Sequence, residues 1–142
     1  MTQPLWCLLG FAVWGKLLLY GVGMCRVTAV MKGEKKASEF PGGVQHGSDA
    51  YWRLNRAHMN VIENIGFFGV IVIIGTIIGV ASPWWNWLPV VVVCGRVLQS
   101  LIHISSGRNL AVNFRFTAFL IQHLAMLGMI FEIVRHSVSR TG

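Results

Sequence analysis

Apolar residues in this chain fall into four long blocks, with charged residues sparse inside them and densest in the stretch between the first two. The first block runs from about Leu5 to Met31 and is interrupted only by Lys16 and Arg26. The second, residues 50–81, opens on Tyr51, Trp52, Arg53 and Arg56, and from Asn64 through Ala81 it carries no charge. The third, residues 87–106, holds a short polar series: Arg96, Gln99, Ser100 and His103. The fourth, residues 111–136, has Arg115 near its start and Glu132 near its end. At about 1.5 Å of rise per residue, a helix through any of these blocks spans or nearly spans roughly 30 Å of hydrocarbon. The pattern predicts an all-α integral membrane protein, a four-transmembrane-helix bundle forming a single domain over residues 1–142.

The intervening stretches read as connections. Residues 32–49 hold Lys32, Glu34, Lys35, Lys36 and Glu39, then Pro41-Gly42-Gly43, which breaks any helix, and Ser48 or Asp49 as a cap for the next one. Gly75 and Gly79 form a GxxxG, expected to bring a neighbouring helix close. Ser82 to Trp87 reads as a short turn with three aromatic anchors, Ser105 to Asn109 as the next turn, and Ser137 to Gly142 as a polar tail.

Composition supports the membrane reading. Of 142 residues, 54% are hydrophobic and 12% charged, about half the charge of a soluble domain. The net charge of +7 does not indicate nucleic acid, because the basic residues sit in short loops rather than a basic domain. It reads instead as topology. Lys32, Lys35, Lys36, Arg53, Arg56 and Arg108 fall on one side of the four spans, which places the two basic loops in the cytoplasm and both termini on the opposite side. The N-terminus lacks the basic start of a signal peptide. Cys7, Cys25 and Cys94 lie in apolar runs without a CxxC pair and read as small buried hydrophobes. Lys16, deep in the first block, is expected to face a neighbouring helix or a polar cavity.

Two polar stripes carry the candidate chemistry. At 100° per residue, Asn60 lies about 40° from Arg56 and Glu63 about 20° from it, with Glu63 roughly 10 Å deeper. On the third helix, Gln99, Ser100 and His103 all fall within about 60° of Arg96. Glu63 and Arg96 sit at similar depth, which allows an ion pair. Two readings remain open: a polar knot that fixes helix register, or a cytoplasm-facing cavity for a small zwitterion or anion. Arg56, Arg96, Arg115 and Lys32 would supply cations there, and Glu63 would hold an ammonium. No metal site is indicated: His46 reads as solvated, and His123 and His136 as satisfied or interfacial. Glu132 reads as a helix-end or packing residue.

These motifs resemble those of the MAPEG family, the membrane-associated proteins of eicosanoid and glutathione metabolism. Arg56, Asn60 and Glu63 match its R-x-x-x-N-x-x-E signature, with His58 inside it. Lys32-Gly33-Glu34-Lys35-Lys36-Ala37 is similar to the basic segment after its first helix. Gly95-Arg96-Val97 with Gln99 and His103 is similar to its third-helix motif. The resemblance implies a homotrimer of four-helix subunits that binds glutathione as co-substrate between adjacent subunits. Arg56, Asn60 and Glu63 would hold the tripeptide's polar ends, and Lys32, Gln99 and His103 would line the same pocket. The family's thiolate-stabilising arginine near the start of helix four corresponds to Arg115, with Arg108 as the rival. His103 and Phe119 stand where members carry tyrosine, and Met59 stands where the prostaglandin synthase branch has arginine. The resemblance therefore points to a glutathione transferase or peroxidase acting on lipophilic electrophiles from the bilayer, more than to a strict prostaglandin or leukotriene synthase. The alternative is a non-catalytic lipid-binding or scaffold member.

Overall fold

The computed structural model describes residues 1–105, 107 and 109–141, with Asn109 and Thr141 described by backbone alone. Four helices account for nearly all of it: α1, Gln3–Met31; α2, Asp49–Ile77; α3, Pro83–Ser105; α4, Asn109–Thr141. Each is long and apolar enough to cross a membrane. They form two hairpins. α1 packs chiefly on α2 and α3 on α4, while among the described residues α1 and α4 do not pack together. Both termini and the α2–α3 turn gather at one end. Thr2 and Gln3 share a hollow with residues 79–83, and His136 and Arg140 of α4 donate to the Ile78 carbonyl at 3.1 and 3.3 Å.

Lipid tails are as apolar as leucine, so dispersion between fitted surfaces holds such helices together rather than the hydrophobic effect. The fitted surface here centres on Phe11, Phe68, Val61, Val72, Trp85, Val92 and Met129, all fully or almost fully buried. The Phe11 and Phe68 rings meet at 5.3 Å, tilted by 38°.

The element boundaries differ from the sequence reading in three places. α2 ends at Ile77, not near Ala81. Gly79 adopts φ +75°, and its N–H donates to the Thr76 carbonyl while that of Val80 donates to the Gly75 carbonyl at 2.9 Å. That is a left-handed C-terminal cap, a conformation glycine enters without steric cost. Gly79 therefore stops the helix and no neighbour approaches it. Its partner in the GxxxG, Gly75, does allow close approach: a Cβ there would collide with the buried Trp85 ring of α3.

α3 starts at Pro83, four residues earlier than expected. The Ser82 hydroxyl accepts from the Trp85 N–H at 3.0 Å, and proline at the first helical position needs no donor. Trp84, Asn86 and Trp87 are thus the exposed part of a first helical turn. α4 continues through residues 137–141, read from sequence as a tail.

At this end Ser82 also donates to Glu132 at 2.6 Å, and Arg135 donates to the same carboxylate at 2.7 Å. Glu132 is a packing residue near the helix end, as its position suggested.

Two expectations for buried groups are corrected. Cys25 and Cys94 are exposed and Cys7 is half-buried, all with free thiols. A bundle in lipid is apolar outside as well as inside, so a small apolar side chain has no need of burial. Lys16 is exposed on α1 rather than facing a cavity within the chain.

Candidate functional site

α2 and α4 both enter the bundle from the end that carries the loops, so they run parallel, yet they touch only sparsely. Arg56 lies seven residues into α2 and Arg115 six into α4, which puts both at a depth of roughly 10 Å. His103 lies near the C-terminal end of α3 at the same end of the molecule. Arg53 is fixed there, because its Nε donates to the Ile104 carbonyl at 3.1 Å, a favourable place for a cation at a helix C-terminus. The basic residues of α2 and α4 thus sit at the end of the bundle where α3 carries the half-buried His103.

Deeper along the same face of α2 come Asn60 and Glu63. Phe67 falls within about 40° of Arg56, Asn60 and Glu63, so this stripe leads directly into a groove of about 350 Å³ between α2 and α4. Asn64, Phe67 and Ile71 line one wall, and His123, Met126, Leu127 and Ile130 the other. The His123 Nδ1 lies 2.9 Å from the Phe119 carbonyl. A carbonyl only accepts, so Nδ1 carries the proton and Nε2 is an acceptor at the groove wall. Along this face of α2 a basic residue, an amide and a carboxylate precede the apolar groove. Chemically this arrangement can hold an anion above and an apolar body below.

Most of the third-helix stripe lies in the interior. Arg96 is 1% exposed. Its Nη1 donates to Gln99 Oε1 at 2.9 Å, and its guanidinium lies 5.8 Å from the Phe11 ring. Gln122 Nε2 donates to the same Gln99 oxygen at 3.1 Å and to the Ala118 carbonyl at 2.7 Å. Arg96 and Gln99 are therefore members of an interior amide–guanidinium knot and do not line the groove.

Within one chain the expected Glu63–Arg96 ion pair does not form. The charge of Glu63 acts on Arg96, but the single ion pair among the described residues is Arg135–Glu132. The depth match is present. Glu63 is exposed on the outer face of α2, while Arg96 points into the core. Two donors of Arg96, Nε and Nη2, have no partner among the described residues, and neither does Gln122 Oε1.

Lys32 is the exposed C-terminal cap of α1, a helix that among the described residues does not pack on α4, so it stands apart from the groove in a single chain. Arg108, the rival to Arg115, lies outside the described residues.

Sequence reasoning missed Gln122, Ser82 and Arg53. Gln122 left a signal, since it is an uncharged hydrogen-bonding side chain inside a block otherwise rich in Leu, Ile, Phe and Met. Ser82 left one too, as serine directly before proline is a helix start.

Compared with protein families, residues 4–135 match the model of the MAPEG family. No individual curated protein matches the chain.

Proposed function

The chain belongs to the MAPEG family, and from that premise we propose that this membrane protein of eicosanoid and glutathione metabolism is a glutathione transferase acting on lipophilic electrophiles, with peroxidase activity as a second outlet of the same thiolate. The observation that carries the reading is the polar stripe of α2: Arg56, at the level of Arg115 on α4, is followed on the same helix face by Asn60 and Glu63 and then by Phe67 at the wall of the apolar α2–α4 groove.

Glutathione has two carboxylates, one ammonium and a thiol. Planar guanidinium groups match carboxylates, so Arg56 and Arg53 take an anionic end, Glu63 takes the ammonium and Asn60 a peptide group. Arg115 is assigned the sulfur, because a nearby cation favours thiolate over thiol and the thiolate is the nucleophile. In transfer, the sulfur forms a bond to the electrophilic carbon, the leaving group departs with its electron pair, and the thiol proton is lost to water. The apolar groove around Phe67 and Met126 receives the electrophile from the bilayer.

Lys32 stands away from this groove, and Glu63 faces outward with no ion pair. Both facts support a homotrimer in which a neighbouring copy closes the site and brings its Lys32. The basic loops are read as cytoplasmic, following the excess of Lys and Arg at that end.

The test is turnover of purified protein with glutathione and 1-chloro-2,4-dinitrobenzene, read as chloride release and conjugate absorbance. Arg115→Ala is expected to lower kcat about 100-fold while changing glutathione Kd less than about threefold. Equal kcat in mutant and parent removes Arg115 from the chemistry. An absence of any thermal shift at millimolar glutathione favours a lipid-binding or scaffold role instead.

A further inference from the structure

A second crevice, of about 460 Å³, opens between the last turns of α1 and the loop that follows it. It has no part in the groove described above. Its walls are ordered by depth. Met24 and Cys25 lie roughly 10 Å inside the end of α1, Thr28 one turn further out, and Glu34 and Lys35 beyond the helix end. The lining therefore changes from apolar to charged at the level where the spans end.

The polar rim is preformed. Arg26 Nε donates to the Tyr51 hydroxyl at 2.9 Å. His46 Nδ1 donates to the Val44 carbonyl at 2.8 Å, which leaves Nε2 to accept from that hydroxyl at 3.2 Å. The His46 ring lies within 5.2 Å of Tyr51 and 6.0 Å of Phe40, centre to centre. Cations already gather on this cluster: Arg26 stands 5.5 Å and Lys35 5.7 Å from the centre of the Phe40 ring. The Glu34 carboxylate forms none of the ion pairs among the described residues. The crevice thus holds one unpaired carboxylate, one ammonium and three aromatic rings above an apolar cleft.

We propose that this crevice seats the headgroup of a zwitterionic phospholipid. The lipid's ammonium lies against Glu34 and the aromatic rings, a pairing that ring quadrupoles favour. Its phosphate meets Lys35. Its glycerol and first methylenes follow Thr28, Cys25 and Met24 into the bilayer. A phosphatidylglycerol headgroup has no cation to offer Glu34 and fits worse, despite the net positive charge of the loop.

The test is native mass spectrometry of the full chain released from nanodiscs of equimolar phosphatidylcholine and phosphatidylglycerol. Retained phosphatidylcholine is expected to exceed phosphatidylglycerol. Both Glu34→Gln and Phe40→Leu are expected to lower that ratio at least about threefold. Glu34→Gln changes an exposed loop side chain, so its effect does not depend on folding. Preferential retention of phosphatidylglycerol, or ratios identical in parent and Glu34→Gln, overturns the proposal.

Discussion

Ser82 performs two tasks at once, which makes its removal a quantitative test of how the start of α3 is tied to α4 within the second hairpin. Its hydroxyl accepts from the Trp85 N–H at 3.0 Å and donates to Glu132 at 2.6 Å. Losing an N-cap side chain costs about 1 kcal/mol. Losing a hydrogen bond to a charged group costs about 1.5–3 kcal/mol. Ser82→Ala therefore should destabilise the protein by roughly 2.5–4 kcal/mol. Glu132→Gln keeps an acceptor for Ser82 but makes that bond a neutral one, and it weakens the pair with Arg135, whose side chain is 58% exposed, so it should cost about 1–2 kcal/mol, less than Ser82→Ala.

The assay is unfolding in dodecyl maltoside micelles with a rising SDS fraction, followed by circular dichroism. A double-mutant cycle of Ser82→Ala with Glu132→Leu should return a coupling of about 1.5–3 kcal/mol. Additive effects, or a Ser82→Ala loss below about 1 kcal/mol, would refute the two-task assignment.

Gly75→Ala should destabilise by about 1–3 kcal/mol in the same assay, because the added methyl meets the rigid, buried Trp85 ring; Gly66→Ala, inside the same helix with nothing near the new Cβ, is the control and should cost nothing or stabilise by up to about 1 kcal/mol. Replacing Arg96 by Met removes two unpartnered buried donors and one bond to Gln99, so stability should change by less than about 1 kcal/mol. A loss above about 3 kcal/mol would mean that Arg96 meets an anion in the assembled protein.

The four helices were legible because charge is scarce inside each block and densest between the first two. Their ends were less so, for local reasons. Gly79 can equally be a packing glycine or a left-handed cap, and only the bond from Val80 back to Gly75 distinguishes the two. Ser82-Pro83 is a recognisable helix start, but the three following tryptophans suggested a turn at the interface.

For the candidate site, periodicity correctly put Arg56, Asn60 and Glu63 on one face of α2. It could not tell that their face looks outward while the stripe of α3 looks inward. Rotation about a helix axis is set by neighbours, and here Phe11 and Gln122 draw Arg96 into the core. That Arg53 of α2 reaches the C-terminal end of α3 beside His103 depends on how two helices pack, which no single period encodes.

The hairpin pairing has a consequence for how the protein is made. Each half, α1–α2 and α3–α4, buries its own tightest seam, and the polypeptide between them is only a few residues long. The translocon can thus release the halves as two self-contained inserts that dock afterwards, with Trp85 keying into the notch at Gly75. Two fragments, residues 1–80 and 81–142, expressed from separate messages are then expected to reassemble and co-purify through a tag on either one. Recovery of the tagged fragment alone would show that covalent continuity, rather than side-chain fit, holds the halves together.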